Sequence, residues 1–337
     1  MTQRTTMGRF HLLLSLLFVL SDSALHAHDT RRFQSKGTTQ EGSGATQASE
    51  EIRSGPASVV SVAGCKTVVR PESAGAAKKY LQRGSLRYQK GDFDGAIGHY
   101  SSAIKQDPCL AIAYNNRGNA QRRKGQFKEA INDFNQALSI NPGLAEAFNN
   151  RGIVRRLLGE VDTAIIDFSR AIELEPRYAA AYTNRGNAYR DKGNTEAAMA
   201  DFDRAIEIDP RSAPAYNNRG EARQEKGDLE GAMADYNRAI SLNPRLSPAL
   251  NNRGALRFQV GDLSGAWGDF DNAIAADPGY ATPYLNRGIL RLLTGKRAEG
   301  EKDLDRCLRL DPRLRTLVNK RIREADKLSM RNSRDTE

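Results

Sequence analysis

The sequence predicts an all-α solenoid of seven 34-residue helix-turn-helix repeats followed by a C-terminal capping helix. Three observations carry that prediction. An Arg-Gly pair stands at Arg83-Gly84, Arg117-Gly118, Arg151-Gly152, Arg185-Gly186, Arg219-Gly220, Arg253-Gly254 and Arg287-Gly288, always 34 residues apart. A second glycine follows each pair, at Gly91, Gly125, Gly159, Gly193, Gly227, Gly261 and Gly295. A proline then closes each unit, at Pro108, Pro142, Pro176, Pro210, Pro244, Pro278 and Pro312. Self-similarity at a fixed period of this length marks a stack of repeats, and 337 residues exceed what one compact core comfortably serves.

Taken from the N-terminus, Arg4 and Arg9 flank the start of an apolar run, 10–20, that is followed by the small residues Ser21, Ser23, Ala24 and Ala27. Residues 1–27 therefore read as a secretory signal cut after Ala27, which predicts an exported protein, secreted or periplasmic. The run is shorter than the roughly 20 residues of a spanning helix, so a permanent membrane anchor is the lesser reading. Residues 28–76 read as a linker. Up to about Ser58 it is rich in Ser, Thr, Gly, Gln and Ala and buries too little to offset its ordering entropy, so disorder is expected there. The apolar stretch 59–69 is expected to be weakly structured.

Residues 77–314 form the repeats. Between each proline and the second glycine, and between that glycine and the next proline, lie two stretches of helical length. Pro214, Pro248 and Pro283 fall in the first turn of the leading helix, where a missing amide hydrogen costs nothing. In the second helix, Ala130, Phe134, Ala137 and Leu138 recur as Ala164, Phe168, Ala171 and Ile172, and then as Ala198, Phe202, Ala205 and Ile206. That spacing places them on one helical face. The glycine of each Arg-Gly pair sits where two backbones must approach, a small residue opposite a large one.

The order aromatic, Gly, Ala, Phe, Ala, Pro at Tyr114, Gly118, Ala130, Phe134, Ala137 and Pro142, nearly repeated in the next four units, resembles the tetratricopeptide repeat family. The resemblance spans residues 77–314 and implies a right-handed superhelical solenoid that binds other molecules in a concave groove. One departure is consistent: the leucine usual before the glycine is arginine in every unit. An aspartate stands before the second-helix aromatic at Asp133, Asp167, Asp201, Asp235, Asp269 and Asp303, with His99 breaking the series. A ladder of Arg–Asp pairs is the expectation, for instance Arg151 with Asp167 or with an aspartate of an adjoining unit; the alternative is two independent solvated charges.

The seventh unit weakens its second helix with Gly300, Glu301 and Leu304. Beyond it Leu314, Val318, Ile322 and Ala325 recur at helical spacing among cations, as suits a capping helix over 315–329. Residues 330–337 are expected to be a disordered tail.

Catalysis is not expected. Of four histidines, His11, His26, His28 and His99, only His99 lies in the repeats, so a hydrolase built around it is a remote alternative. Cys65, Cys109 and Cys307 are too dispersed for a structural zinc site, and no phosphate-cradling loop follows a strand. No metal or cofactor is expected. In an oxidising compartment Cys65 and Cys109, which flank the first hairpin, are able to bridge.

A binding face is better supported. Asn116, Asn150, Asn184, Asn218, Asn252 and Asn286 precede the Arg-Gly pairs, and Asn115, Asn149, Asn217 and Asn251 precede four of them. The series resembles the asparagine ladder with which some tetratricopeptide proteins hold a peptide backbone, a carboxamide having both an acceptor and donors to offer; the alternative is a solvated consensus position. Arg122, Arg123, Arg156 and Arg190 make the early units basic, Glu221 and Glu225 make the fifth acidic, and Phe258, Ile289, Leu292 and Leu293 make the last two apolar. The predicted partner is a protein or extended peptide, contacted by the six asparagines together with Arg122, Arg156 and Arg190. The net charge of +10 makes a basic helical-repeat protein that binds nucleic acid the rival reading. The signal, the 34-residue rather than 35-residue period and the acidic residues spread through the same units stand against it, so no nucleic acid is expected as partner.

Overall fold

The computed structural model describes Cys65 and residues 71–334, so the predicted signal and most of the predicted linker lie outside the described residues. The chain divides into two compact units, one ending at Ala188 and the other beginning at Tyr189. Every regular element among the described residues is a helix.

In the first unit α1 (Pro71–Gln89) pairs with α2 (Phe93–Gln106), α3 (Ala111–Arg123) with α4 (Phe127–Ile140), and α5 (Ala145–Leu157) with α6 (Val161–Leu174). Helix α7 (Ala179–Asp191) contains the boundary. The second unit holds α8 (Thr195–Ile208), then the pairs α9 (Ala213–Glu225) with α10 (Leu229–Leu242), α11 (Ser247–Gln259) with α12 (Leu263–Ala276), and α13 (Ala281–Leu293) with α14 (Arg297–Leu310). A 3-10 turn, Pro312–Leu314, leads into α15 (Arg315–Arg334). Within each unit successive hairpins also pack on one another.

Two boundaries differ from the sequence expectation. Helix α1 begins at Pro71 rather than Ala77, and so takes in the end of the predicted linker. Proline suits the first helical position, and Glu72 lies where the positive end of the helix dipole favours an acid. That extra turn precedes the repeating pattern, so periodicity does not mark it. At the other end α15 runs to Arg334, into the segment expected to be disordered.

The turn within each hairpin depends on its glycine. Gly159 has φ +82°, in the left-handed region that costs an L side chain roughly 1–2 kcal/mol. The Glu160 amide then reaches back to the Arg155 carbonyl at 2.9 Å, closing the end of α5. The other six turn glycines share this conformation.

The glycine of the Arg-Gly pair acts differently. A Cβ on Gly152 would lie 2.7 Å from the Phe168 ring, so only glycine lets α5 and α6 close on that side chain. Gly118 with Phe134, Gly220 with Tyr236 and Gly254 with Phe270 repeat the contact. Each aromatic is fully buried, among alanines such as Ala164 and Ala188 around Phe168. Burying a side chain of this size contributes about 1.5–3 kcal/mol.

Helix α15 covers the last hairpin. Val318 and Ala325, with Leu314, join Tyr284, Leu285, Ile289 and Leu292 of α13 and Leu304 and Cys307 of α14 in one cluster. Its register is that of a leading helix, because Arg315 stands 34 residues after Ala281 and Arg321 stands 34 after Arg287. Ile322 takes the glycine position of that register. In the first unit Cys65 and Cys109 form a disulfide with their Cα atoms 5.6 Å apart, which ties Cys65 to the α2–α3 turn.

Candidate functional site

The leading helices carry their asparagines and arginines at fixed positions, so stacking aligns these side chains in rows. In the first unit Asn150 Nδ2 donates to Asn115 Oδ1 at 3.0 Å and Asn184 Nδ2 donates to Asn149 Oδ1 at 2.9 Å. In the second unit Asn252 donates to Asn217 at 3.1 Å and Asn286 donates to Asn251 at 2.9 Å. The asparagines therefore bond to one another across hairpins, each to a residue 35 positions earlier.

The acceptors Asn115, Asn149, Asn217 and Asn251 are buried. Within the predicted row, Asn116, Asn150, Asn184 and Asn218 stay half-buried, whereas Asn252 and Asn286 are buried and directed at other side chains. For Asn150 and Asn184 one amide hydrogen goes to the neighbouring hairpin, which leaves an acceptor oxygen and a second hydrogen on each carboxamide. Their orientation is fixed by that first bond.

The predicted arginines divide as well. Arg122 is buried and donates from Nε to Asn119 Oδ1 at 3.3 Å, while Arg156 is half-buried. Arg190 Nη2 lies 2.6 Å from Glu221 Oε2, and its Nε lies 3.4 Å from Glu225 Oε1. Glu221 Oε1 also accepts from Asn217 at 2.9 Å and from Asn252 at 2.7 Å. Desolvation opposes the charge on Arg190, yet Glu221 and Glu225 raise its pKa above the usual value. The expected contrast between a basic Arg190 and an acidic fifth hairpin thus closes on itself as an ion pair. The apolar residues are covered in the same way: Ile289 and Leu292 lie in the α15 cluster, and Phe258 packs with Ala266, Phe270 and Leu290.

The arginine–aspartate ladder is present, and each pair lies within one hairpin. Arg151 donates from Nε and Nη2 to the two oxygens of Asp167, at 3.0 and 2.6 Å. The same two-pronged pairing joins Arg117 to Asp133, Arg219 to Asp235, Arg253 to Asp269 and Arg287 to Asp303. Hydrogen bonding to the aspartates holds Arg219 and Arg287 protonated well above their ordinary range. In the first hairpin, where His99 stands in place of the aspartate, Arg83 is exposed.

Two further parts of this ladder escape sequence reasoning. A second arginine one turn along, Arg155, Arg223, Arg257 or Arg291, reaches the same aspartate at 2.7–2.9 Å. The third donor of each ladder arginine crosses to the preceding hairpin, as Arg151 Nη1 does to Asn135 Oδ1 at 2.7 Å and Arg287 Nη1 does to Asp271 Oδ1 at 2.6 Å. The constant step of 16 residues in either direction is the signal that could have located both carboxylate and crossing partner. The Arg151 guanidinium also lies over Phe148, 5.3 Å from the ring centroid.

Stacked hairpins with buried Arg–Asp clamps and an asparagine edge define a helical-repeat scaffold. The chain is a tetratricopeptide repeat protein. The pattern described as TPR repeat matches residues 84–125, 154–189 and 186–227, and the tetratricopeptide repeat pattern matches 111–144 and 213–246. A tetratricopeptide repeat protein from Parabacteroides merdae is similar in fold, with a TM-score of 0.59, 22% identity, and coverage of 74% of this chain and 99% of its own. PilW, a type IV pilus biogenesis factor, gives a TM-score of 0.55 at 22% identity, with 61% of this chain and 96% of its own covered. The Cut9–Hcn1 structure gives 0.65 at 15% identity, with 73% and 48% covered. No curated protein matches the chain significantly. Proteins of this family generally mediate protein–protein interactions and are typically non-catalytic.

Proposed function

We propose that the protein is an exported interaction scaffold that holds an extended peptide along the asparagine edge of its first unit. The observation that carries this reading is the half-buried row Asn116, Asn150 and Asn184, in which Asn150 and Asn184 are each locked by a bond to the hairpin before. A carboxamide fixed in this way presents an acceptor and a donor to a backbone C=O and N–H without first losing rotamer freedom. Arg156, half-buried, belongs to the same leading helix as Asn150. At about 0.5–1.5 kcal/mol net per hydrogen bond, less the cost of association, these carboxamides by themselves give only weak binding. Export is supported by the signal-like residues 1–27 together with the Cys65–Cys109 bridge, which suits an oxidising compartment.

The test is a screen of unstructured peptides followed by side-chain amide NMR of the bound state. Binding is expected to shift the Asn116, Asn150 and Asn184 carboxamide resonances and to weaken in Asn116→Ala. A peptide that binds without moving any of the three would overturn the proposal.

A further inference from the structure

Among the described residues, one face of helix α15 is exposed. Val318 and Ala325 turn their side of α15 toward α13 and α14. Lys320, Arg323 and Lys327 are exposed. At 3.6 residues per turn these three fall within an arc of about 60°, centred opposite the buried side. Arg331 and Arg334 continue the same spacing in the sequence.

The carboxylates of α15 do not neutralise this row. Glu324 binds Arg321 at 2.9 Å, and Asp326 binds Arg297 of α14 at 2.8 Å. Both acids are therefore occupied by cations that lie off the stripe.

We propose that the outer face of α15 is an electrostatic docking surface for anionic phospholipid. The apolar side of the helix is already used within the fold, so adhesion rests on charge and involves no insertion. Lys320 and Lys327 stand about 10 Å apart along a straight axis, at 1.5 Å per residue, and a straight row of cations meets a plane of headgroups without bending. Nucleic acid offers the same phosphate chemistry, but α15 contains no aromatic residue on which a base could stack. The Cys65–Cys109 bridge also suits an oxidising compartment, where a membrane surface is the more abundant polyanion.

The experiment is co-sedimentation of the full chain with vesicles of equal parts phosphatidylcholine and phosphatidylglycerol, against vesicles of phosphatidylcholine alone. The protein should bind the anionic vesicles and leave them as salt rises. Each cation near such a surface contributes about fivefold to partitioning, so Lys320→Ala, Arg323→Ala and Lys327→Ala combined should lower it by about 100-fold. The same loss of charge at Arg170, Arg204 and Arg238, all exposed and outside α15, should leave binding near that of wild type. Equal losses in the two triple variants, salt-insensitive binding, or equal binding to neutral vesicles would overturn the proposal. Tighter binding to a DNA duplex than to anionic vesicles would overturn the choice of lipid. Lys320→Gln with Lys327→Gln gives a milder second variant, expected to lose about 25-fold, and full retention of binding by it counts against the surface.

Discussion

Asp167 is 1% exposed and receives two guanidinium groups, from Arg151 and Arg155. Such a carboxylate is hard to remove, since its loss leaves two cations partly buried without their acceptor. Asp167→Ala is expected to lower stability by about 3–5 kcal/mol, measured by denaturant unfolding. Glu146 shows the reverse sign. Desolvation, with a smaller contribution from Glu175, raises its pKa above the ordinary carboxylate value. An acid with a raised folded-state pKa gives up stability as pH climbs from the unfolded value through the folded one. Glu146→Gln should therefore raise the melting temperature at neutral pH and leave it nearly unchanged below the unfolded-state pKa. The pairing of Arg151 with Asp167 was legible because both residues recur at the repeat period. Its choice of the same hairpin was not, since a period of 34 fixes spacing along the chain and says nothing about which neighbour a long side chain reaches. The asparagines were harder still: Asn115 and Asn150 recur alike in the sequence, and only the packed structure separates the buried acceptor from the half-buried donor.

At the scale of a helix pair, the contact between Gly152 and Phe168 sets how closely α5 and α6 approach. Gly152→Ala must displace a fully buried ring and should cost about 1–3 kcal/mol in thermal or chemical unfolding. Adding Phe168→Leu should recover part of that loss in a double-mutant cycle, because the smaller side chain can yield to the new methyl. The seventh hairpin already carries leucine there, with Leu304 against Gly288. Helices of this kind were readable from punctuation alone, since proline, turn glycine and contact glycine each impose a backbone requirement. The start of α1 and the end of α15 were not, because no repeat neighbour marks those turns.

For the molecule as a whole, the disulfide and the single tryptophan offer a way to observe the two units separately. Cys65 and Cys109 are 44 residues apart, and a cross-link over that separation typically contributes about 2–4 kcal/mol. Both cysteines belong to the first unit, whereas Trp267 lies in α12 of the second. Reduction should therefore move the unfolding transition seen by far-ultraviolet circular dichroism more than the one seen by tryptophan fluorescence. Coincident shifts would show that the two units unfold together.

Helix α15 begins the repeat pattern anew and then departs from it at Ile322, where every earlier unit has glycine. A branched side chain at that position bars the close approach that an aromatic such as Phe168 makes to Gly152. A hairpin appended after α15 would therefore need glycine in place of Ile322, whereas a copy inserted upstream of Arg315 would bring its own contact glycine.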